Sequence, residues 1–194
     1  AKGVKYDTIR ALFPIHASET VVFCLEHSPI TSVKDLAGKN VSFGPPQSNS
    51  DSVARNVMET LGIKVNIRNM SFQSTIDGMV DRLVDAAFLN LAHPAAPILT
   101  LQITKKLRFL QFSDEELAKI QKAYPMYHTK VMPQTMYNEF PKGGYKTIEI
   151  GTAVITYKDQ PDDLIYRIVK TTFENVQMVK EAMSSATYTV PERV

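Results

Sequence analysis

Two consecutive prolines, Pro45 and Pro46, follow Gly44 at the end of the apolar run Val41-Ser42-Phe43. Neither can donate to a sheet ladder or sit inside a helix, so a strand must stop there. Gln47-Ser48-Asn49-Ser50-Asp51-Ser52 comes next, rich in the Ser, Asn and Asp that cap helices. Val53, Ala54, Val57, Met58 and Leu61 then recur at helical spacing up to the stop at Gly62. The stretch reads as a strand, a tight loop and a helix N-terminus. Such a junction gathers backbone N–H groups, hydroxyls and the positive end of a helix dipole, which suits it to hold an anionic group. Capping accounts for the same residues with no ligand at all.

The pattern repeats along the chain. Ile63–Phe72 alternates apolar and polar residues, as a half-exposed strand should. Ile76, Met79, Val80 and Leu83 mark a helix over about 73–83, and Val84–Leu89 reads as a buried strand. Asn90–Pro97 is a second strand-to-helix turn with proline just inside the helix, which runs to about Thr104 ahead of a strand at Leu107–Phe112. Strands alternating with short helices imply right-handed βαβ crossovers and a parallel sheet. Before this unit, Thr8–Pro14 and Glu19–Leu25 form one interrupted strand or two.

Beyond the unit, Ser113-Asp114-Glu115-Glu116 starts a helix that Tyr124-Pro125 ends. Lys130–Gly144 is a loop or irregular strand, and Thr147–Tyr157 a clear strand. The longest helix is expected over about Asp162–Ser184, with Leu164, Ile165, Ile168, Val169, Phe173, Val176, Met178 and Val179 on its apolar side. The tail from Ala186 to Val194 shows no closing element.

Several chemistries find no support in the residues. The net charge of +2 comes from 22 basic and 20 acidic residues spread along the chain, so no nucleic-acid footprint is present. The one cysteine, Cys24, lies in an apolar run and excludes an internal disulfide or a multi-cysteine metal site. His16, His27, His93 and His128 are isolated from one another and from carboxylates at ligand spacing, so no metal or other cofactor is expected. The Gly44–Ser50 loop lacks the second Gly and the Lys of a P-loop, and no dinucleotide fingerprint occurs. No nucleophile–base pair or paired-carboxylate motif emerges, which favours a binder over an enzyme. His93 stands in a turn after a buried strand, where α/β sheets place ligands, although a loop histidine before proline is commonly a capping residue. Tyr124, Tyr127, Tyr137 and Tyr145 can line a cleft or cover a hydrophobic edge.

Taken in order, several segments resemble the TAXI-type (TRAP-associated extracytoplasmic immunogenic) solute receptors of TRAP transporters. They are Ile9–Pro14, Ser32–Ser42, Gly44–Ser50, Val84–Phe88, His93-Pro94, Tyr124-Pro125, Pro133–Tyr137 and Tyr166–Lys170. Departures occur at Ser48-Asn49-Ser50, where the family shows Ser-Gly-Ser/Thr, and at Arg82 and Ala92, where glycines are usual. The resemblance implies an α/β fold like the type II periplasmic binding proteins, two lobes with central mixed sheets, one of them incomplete. Residues 26–105 would form a nearly complete lobe, and 1–25 with 106–194 an incomplete second lobe carrying the hinge strands. The chain begins at Ala1 rather than Met, and is expected to be a processed or trimmed piece of a longer receptor.

The same resemblance implies a non-enzymatic, periplasmic solute-binding protein. It would capture a small organic anion, glutamate-like or a dicarboxylate, and pass it to the membrane permease subunits of a TRAP transporter. Ser48, Asn49, Ser50, Ala92, His93 and Tyr137 are the ligand-binding candidates, with Tyr137 expected to supply the facing wall from the other lobe. Two other readings stand beside it: an enzyme on the same two-lobed fold, and the effector-binding domain of a transcription regulator.

Overall fold

The computed structural model describes residues 6–182 together with Ala186 and Thr189. In chain order the elements are β1 (Ile9–Leu25), β2 (Asn40–Ser42), α1 (Asn49–Leu61), β3 (Asn66–Arg68), α2 (Phe72–Val80), β4 (Ala86–Leu91) and α3 (Ala96–Thr104). They continue with β5 (Leu107–Phe109), α4 (Asp114–Ala123), β6 (His128–Met132), β7 (Tyr145–Tyr157), α5 (Asp162–Glu174) and α6 (Val176–Ala182). The strands form one mixed sheet in the order β3-β2-β4-β1-β7-β6, with β5 also paired to β1. Contacts group the chain into two units, residues 18–150 and residues 1–17 with 151–194. The lobe expected over 26–105 falls wholly inside the larger unit, which also takes in 106–150.

In the larger unit β2, β3 and β4 run parallel with helices between them, as expected. β2 pairs in parallel with β3 through Val41↔Ile67 and with β4 through Val41↔Ala86. Helix α1 leads out of β2 toward β3, whereas α3 leads out of β4 toward β5 on β1. The chain thus departs in opposite directions from two adjacent parallel strands, and the crevice beyond their carboxyl ends is where open α/β sheets hold ligands. Antiparallel β1 closes the other side of β4, Val21 facing Leu89 and Thr20 facing Asn90.

Alternation along β1 supplies two cores. Val22 and Cys24 join Phe43, Val53, Val57, Phe88, Leu110, Phe112 and Ile120 on one face. Val21, Phe23 and Leu25 join Ile76, Met79, Leu89, Ile98, Phe109, Tyr137 and Tyr145 on the other. Cys24 is fully buried, as an apolar setting predicts for an inert thiol. Tyr145 is also buried, its hydroxyl accepting from Val22 N–H at 3.0 Å and donating to Leu110 O at 2.8 Å.

Two expectations in this unit need correction. Only Asn66–Arg68 of the stretch 63–72 is strand, and all three residues are exposed. Paired on one side alone, β3 is a short sheet edge, and alternation in its sequence overstated its burial. The 130–144 stretch, read as loop or irregular strand, begins with a regular strand, since β6 pairs with β7 from His128↔Glu149 to Met132↔Tyr145.

In the smaller unit Phe13 meets Phe173 edge-on at 5.3 Å, and Lys158 N–H bonds Thr8 O at 2.8 Å. The single long helix expected here is two. Asn175 leaves helical geometry at φ −119°, ψ 27°, and its side-chain amide joins its backbone N–H on Thr171 O, at 2.8 and 3.1 Å, closing the first helix. The last part of that expected helix, from Met183 to Ser184, lies outside the described residues, as does nearly all of the tail. Helix α5 buries none of its residues, and Tyr166 and Met178 are 65% and 66% exposed.

Candidate functional site

The turn after β2 is built by exclusion. Gly44 has φ +77°, and a Cβ there would come within 2.9 Å of the Phe72 ring and 3.2 Å of Ser50 Oγ, so only glycine fits. Its carbonyl accepts from Met70 N–H and from the Asn69 amide, tying the turn to the loop after β3. Ser48 is the N-cap, in extended geometry, with Oγ accepting from Asp51 N–H at 3.2 Å. The backbone N–H groups of Asn49 and Ser50 have no intrahelical acceptor.

The charge at this helix end is already partly met. Asp51 Oδ2 accepts from Gln47 N–H at 3.1 Å, and Oδ1 accepts from Asn69 at 3.0 Å and Arg55 Nε at 2.8 Å. Burial pushes the Asp51 carboxyl up, but Asn69, the Gln47 N–H and the Arg55 guanidinium outweigh it and hold it below the ordinary carboxylate value. Arg55 in turn balances the Asp51 charge, so the carboxylate does not simply repel a second anion.

Ser50 is buried, its Oγ donating to Phe88 O at 3.4 Å and accepting from Asn90 N–H at 3.0 Å. Asn49 is exposed, and its Nδ2 donates to Asn90 Oδ1 at 2.8 Å. Asn90, 4% exposed at the end of β4, also donates through Nδ2 to Ser18 O at 3.2 Å and Thr20 Oγ1 at 3.0 Å. One buried amide therefore joins α1, β4 and β1.

The turn after β4 holds Ala92, half-buried, and His93, buried. Tyr137 Oη accepts from Ala95 N–H at 2.7 Å and lies 2.7 Å from His93 Nδ1. Glu19 O, 3.2 Å from Nε2, can only accept, so the proton of the neutral ring sits on Nε2 and Nδ1 accepts the phenol proton. Burial lowers the His93 pKa to about 4, so the ring is neutral and donates to a carbonyl. Burial likewise pushes Tyr137 up to about 12.

Tyr137 does not stand as a wall facing Ser48–Ser50 from another lobe. It belongs to the same unit, is 2% exposed and stacks on Phe109 at 5.4 Å. Its hydroxyl secures the turn after β4. His93 is occupied in the same way, while Ser48 and Ser50 spend their hydroxyls on the cap and on β4. Asn49 is the exposed residue among Ser48, Asn49 and Ser50.

Two residues at this edge were not singled out from sequence. Asn90 could have been found as a polar residue closing a buried apolar strand. Glu19, opposite Leu91 on β1, is half-buried. Burial raises its carboxyl to about 7, with Lys130 opposing and Glu149 adding to the rise, and Lys130 and Glu149 pair at 2.8 Å. Among the described residues, concavities of about 800 Å³ along α5 and α6, about 660 Å³ beside Met58 and Ile67, and about 290 Å³ beside Met79 and Arg82 lie elsewhere.

Residues 1–194 match the NMT1-like family. Among solved structures, the chain is similar to XAC2383 from Xanthomonas citri bound to ATP, at 12% identity and a TM-score of 0.60, covering 93% of this chain and 64% of that one. It is similar to a putative L-cystine ABC transporter protein from Listeria monocytogenes, at 14% identity and a TM-score of 0.54, covering 96% and 67%. It is also similar to the arginine-, lysine-, histidine-binding protein ArtJ from Geobacillus stearothermophilus, at 13% identity and a TM-score of 0.50, covering 92% and 64%. These likenesses establish a periplasmic binding protein-like α/β fold with a mixed, open sheet. The chain spans about two thirds or less of the length of each of these three structures.

Proposed function

We propose that this chain, which belongs to the NMT1-like family, is the ligand-holding part of an extracytoplasmic solute receptor that takes a small organic anion and does no chemistry on it. The observation that carries this reading is the pairing of two turns, 48–50 and 92–93, at the carboxyl ends of the adjacent parallel strands β2 and β4. The N–H groups of Asn49 and Ser50 at the start of α1 are donors suited to a carboxylate. Ser48, Asn49 and Ala92 form the edge that meets the solute, buried Ser50 ties that edge to β4, and His93 with Tyr137 holds the second turn in place.

The resemblance to TAXI-type receptors supports a TRAP permease as the membrane partner and the periplasm as the compartment. An ABC permease is the second reading, favoured by the transporter named for the Listeria neighbour. Calorimetry with the chain across a panel of amino acids and dicarboxylates tests the receptor. We expect saturable one-site binding of at least one carboxylate, weakened at least about tenfold by Ser48→Ala with Ser50→Ala, because the cap and the tie to β4 are both lost. A panel without binding removes the proposal.

A further inference from the structure

We infer, resting on the receptor reading above, that Glu19 links the hold on a solute anion to a proton: the anion binds while Glu19 is protonated, and ionised Glu19, beside the turn after β4, weakens it. The placement comes from β1. Glu19 lies opposite Leu91, two residues before His93, and its backbone carbonyl accepts from His93 Nε2–H at 3.2 Å. Alternation puts its side chain on the side of β1 that carries Val21 and Phe23, where Tyr137 and Tyr145 also pack. Strand β7 runs beside β1 there, Thr147 Oγ1 donating to Thr20 O at 2.5 Å and Tyr145 Oη accepting from Val22 N–H at 3.0 Å.

The charges gathered here do not balance. Glu149 on β7 and Lys130 on β6 pair at 2.8 Å, with side chains 17% and 32% exposed, and both act on Glu19. The neighbouring rings supply no cation, since His93 is buried and neutral and Tyr137 keeps its phenol proton. His128, opposite Glu149 on β6, is exposed to water. Two carboxylates therefore share one ammonium in a half-buried setting, and one of them gains by holding a proton. Burial does most to raise the Glu19 carboxyl, to about 7, with Lys130 opposing and Glu149 adding to the rise. A solute anion against Ala92 brings one more negative charge to the same place. It favours protonated Glu19, and by linkage protonated Glu19 favours the anion, so affinity falls as pH rises through 7.

The test is calorimetry with glutarate on the full chain, from about pH 6 to about pH 8, in buffers of different ionisation enthalpy. Wild type is expected to bind about fivefold more weakly at pH 8 than at pH 6 and to take up about half a proton per glutarate near pH 7.5, the size expected when the bound anion makes Glu19 about tenfold harder to ionise. Glu19→Gln, whose amide stays neutral, keeps its pH 6 affinity at pH 8 and takes up no proton. Glu149→Gln leaves Lys130 to Glu19 alone and moves the fall in affinity to lower pH, which decides the matter should Glu19→Gln fail to fold. A merely structural role for Glu19 would weaken binding equally at every pH and leave the slope unchanged. A flat wild-type profile, a slope that survives Glu19→Gln, or a fall that stays in place in Glu149→Gln overturns this inference while the receptor stands. Failure of wild type to bind glutarate overturns it too, and with the wider panel also silent the receptor reading falls as well.

Discussion

The larger and smaller units draw on similar sequence patterns and bury them very differently. Helix α1 shows apolar residues at helical spacing, and the structure buries Val53, Ala54, Val57 and Met58. Helix α5 shows an equally regular stripe, yet none of its residues is buried, and Ile168 remains 41% exposed. Periodicity announces that a helix has a face to cover. It carries no information about whether the surface that covers it is among the residues at hand.

The contrast can be broken at its strongest point first. Phe88 is fully buried between Phe43 and Phe112, at ring distances of 6.1 and 6.3 Å. Phe88→Ala is expected to cost about 3–5 kcal/mol in denaturant unfolding. A loss below about 1 kcal/mol would mean that the larger unit is not the better-packed one.

Next comes acid. His93 is held near pKa 4 rather than its ordinary 6.5, so between those values the unfolded chain binds more protons than the folded one. Its stabilising contribution is complete above about pH 6.5 and is lost as pH falls toward 4, amounting to about 3 kcal/mol. Glu19 acts with the opposite sign. Its carboxyl is raised from 4.5 to about 7, so the stability it contributes is present below 4.5 and lost as pH rises through 7. Unfolding midpoints from pH 7 to pH 4 in a Glu19→Gln background isolate the histidine, and a flat profile there would contradict its buried neutral state.

The smallest expected effect lies in the smaller unit. Ile168→Ala should change the unfolding free energy by about 0.5 kcal/mol or less, as surface substitutions do. A cost approaching that of Phe88→Ala would erase the distinction between the units.

The sequence was informative where one residue type has one use. Gly44, Pro45 and Pro46 marked the end of β2, the Ser, Asn and Asp cluster after them marked the start of α1, and Ser113 to Glu116 marked the start of α4; the structure adds the Ser48 cap and the Ser113–Glu116 capping box. It was less informative where pairing decides. The exposed edge strand β3 and the short β6 owe their character to what lies on either side of them. At the candidate site, Ser48–Ser50 and His93 were visible as turn residues. Asn90 was visible only as the start of the second turn, because its importance comes from bonds to Ser18, Thr20 and Asn49 that no local spacing encodes. Tyr137 was visible as an aromatic but not as a group turned inward.

Tyr145 has a consequence for the order of events during folding. Its hydroxyl bridges Val22, 123 residues away in the chain, and Leu110, 35 residues away. Closing loops of such length is entropically costly until other contacts repay it. The phenol has both partners only once β1, Leu110 and β7 are in place, so Tyr145→Phe is expected to speed unfolding more than it slows folding in stopped-flow kinetics.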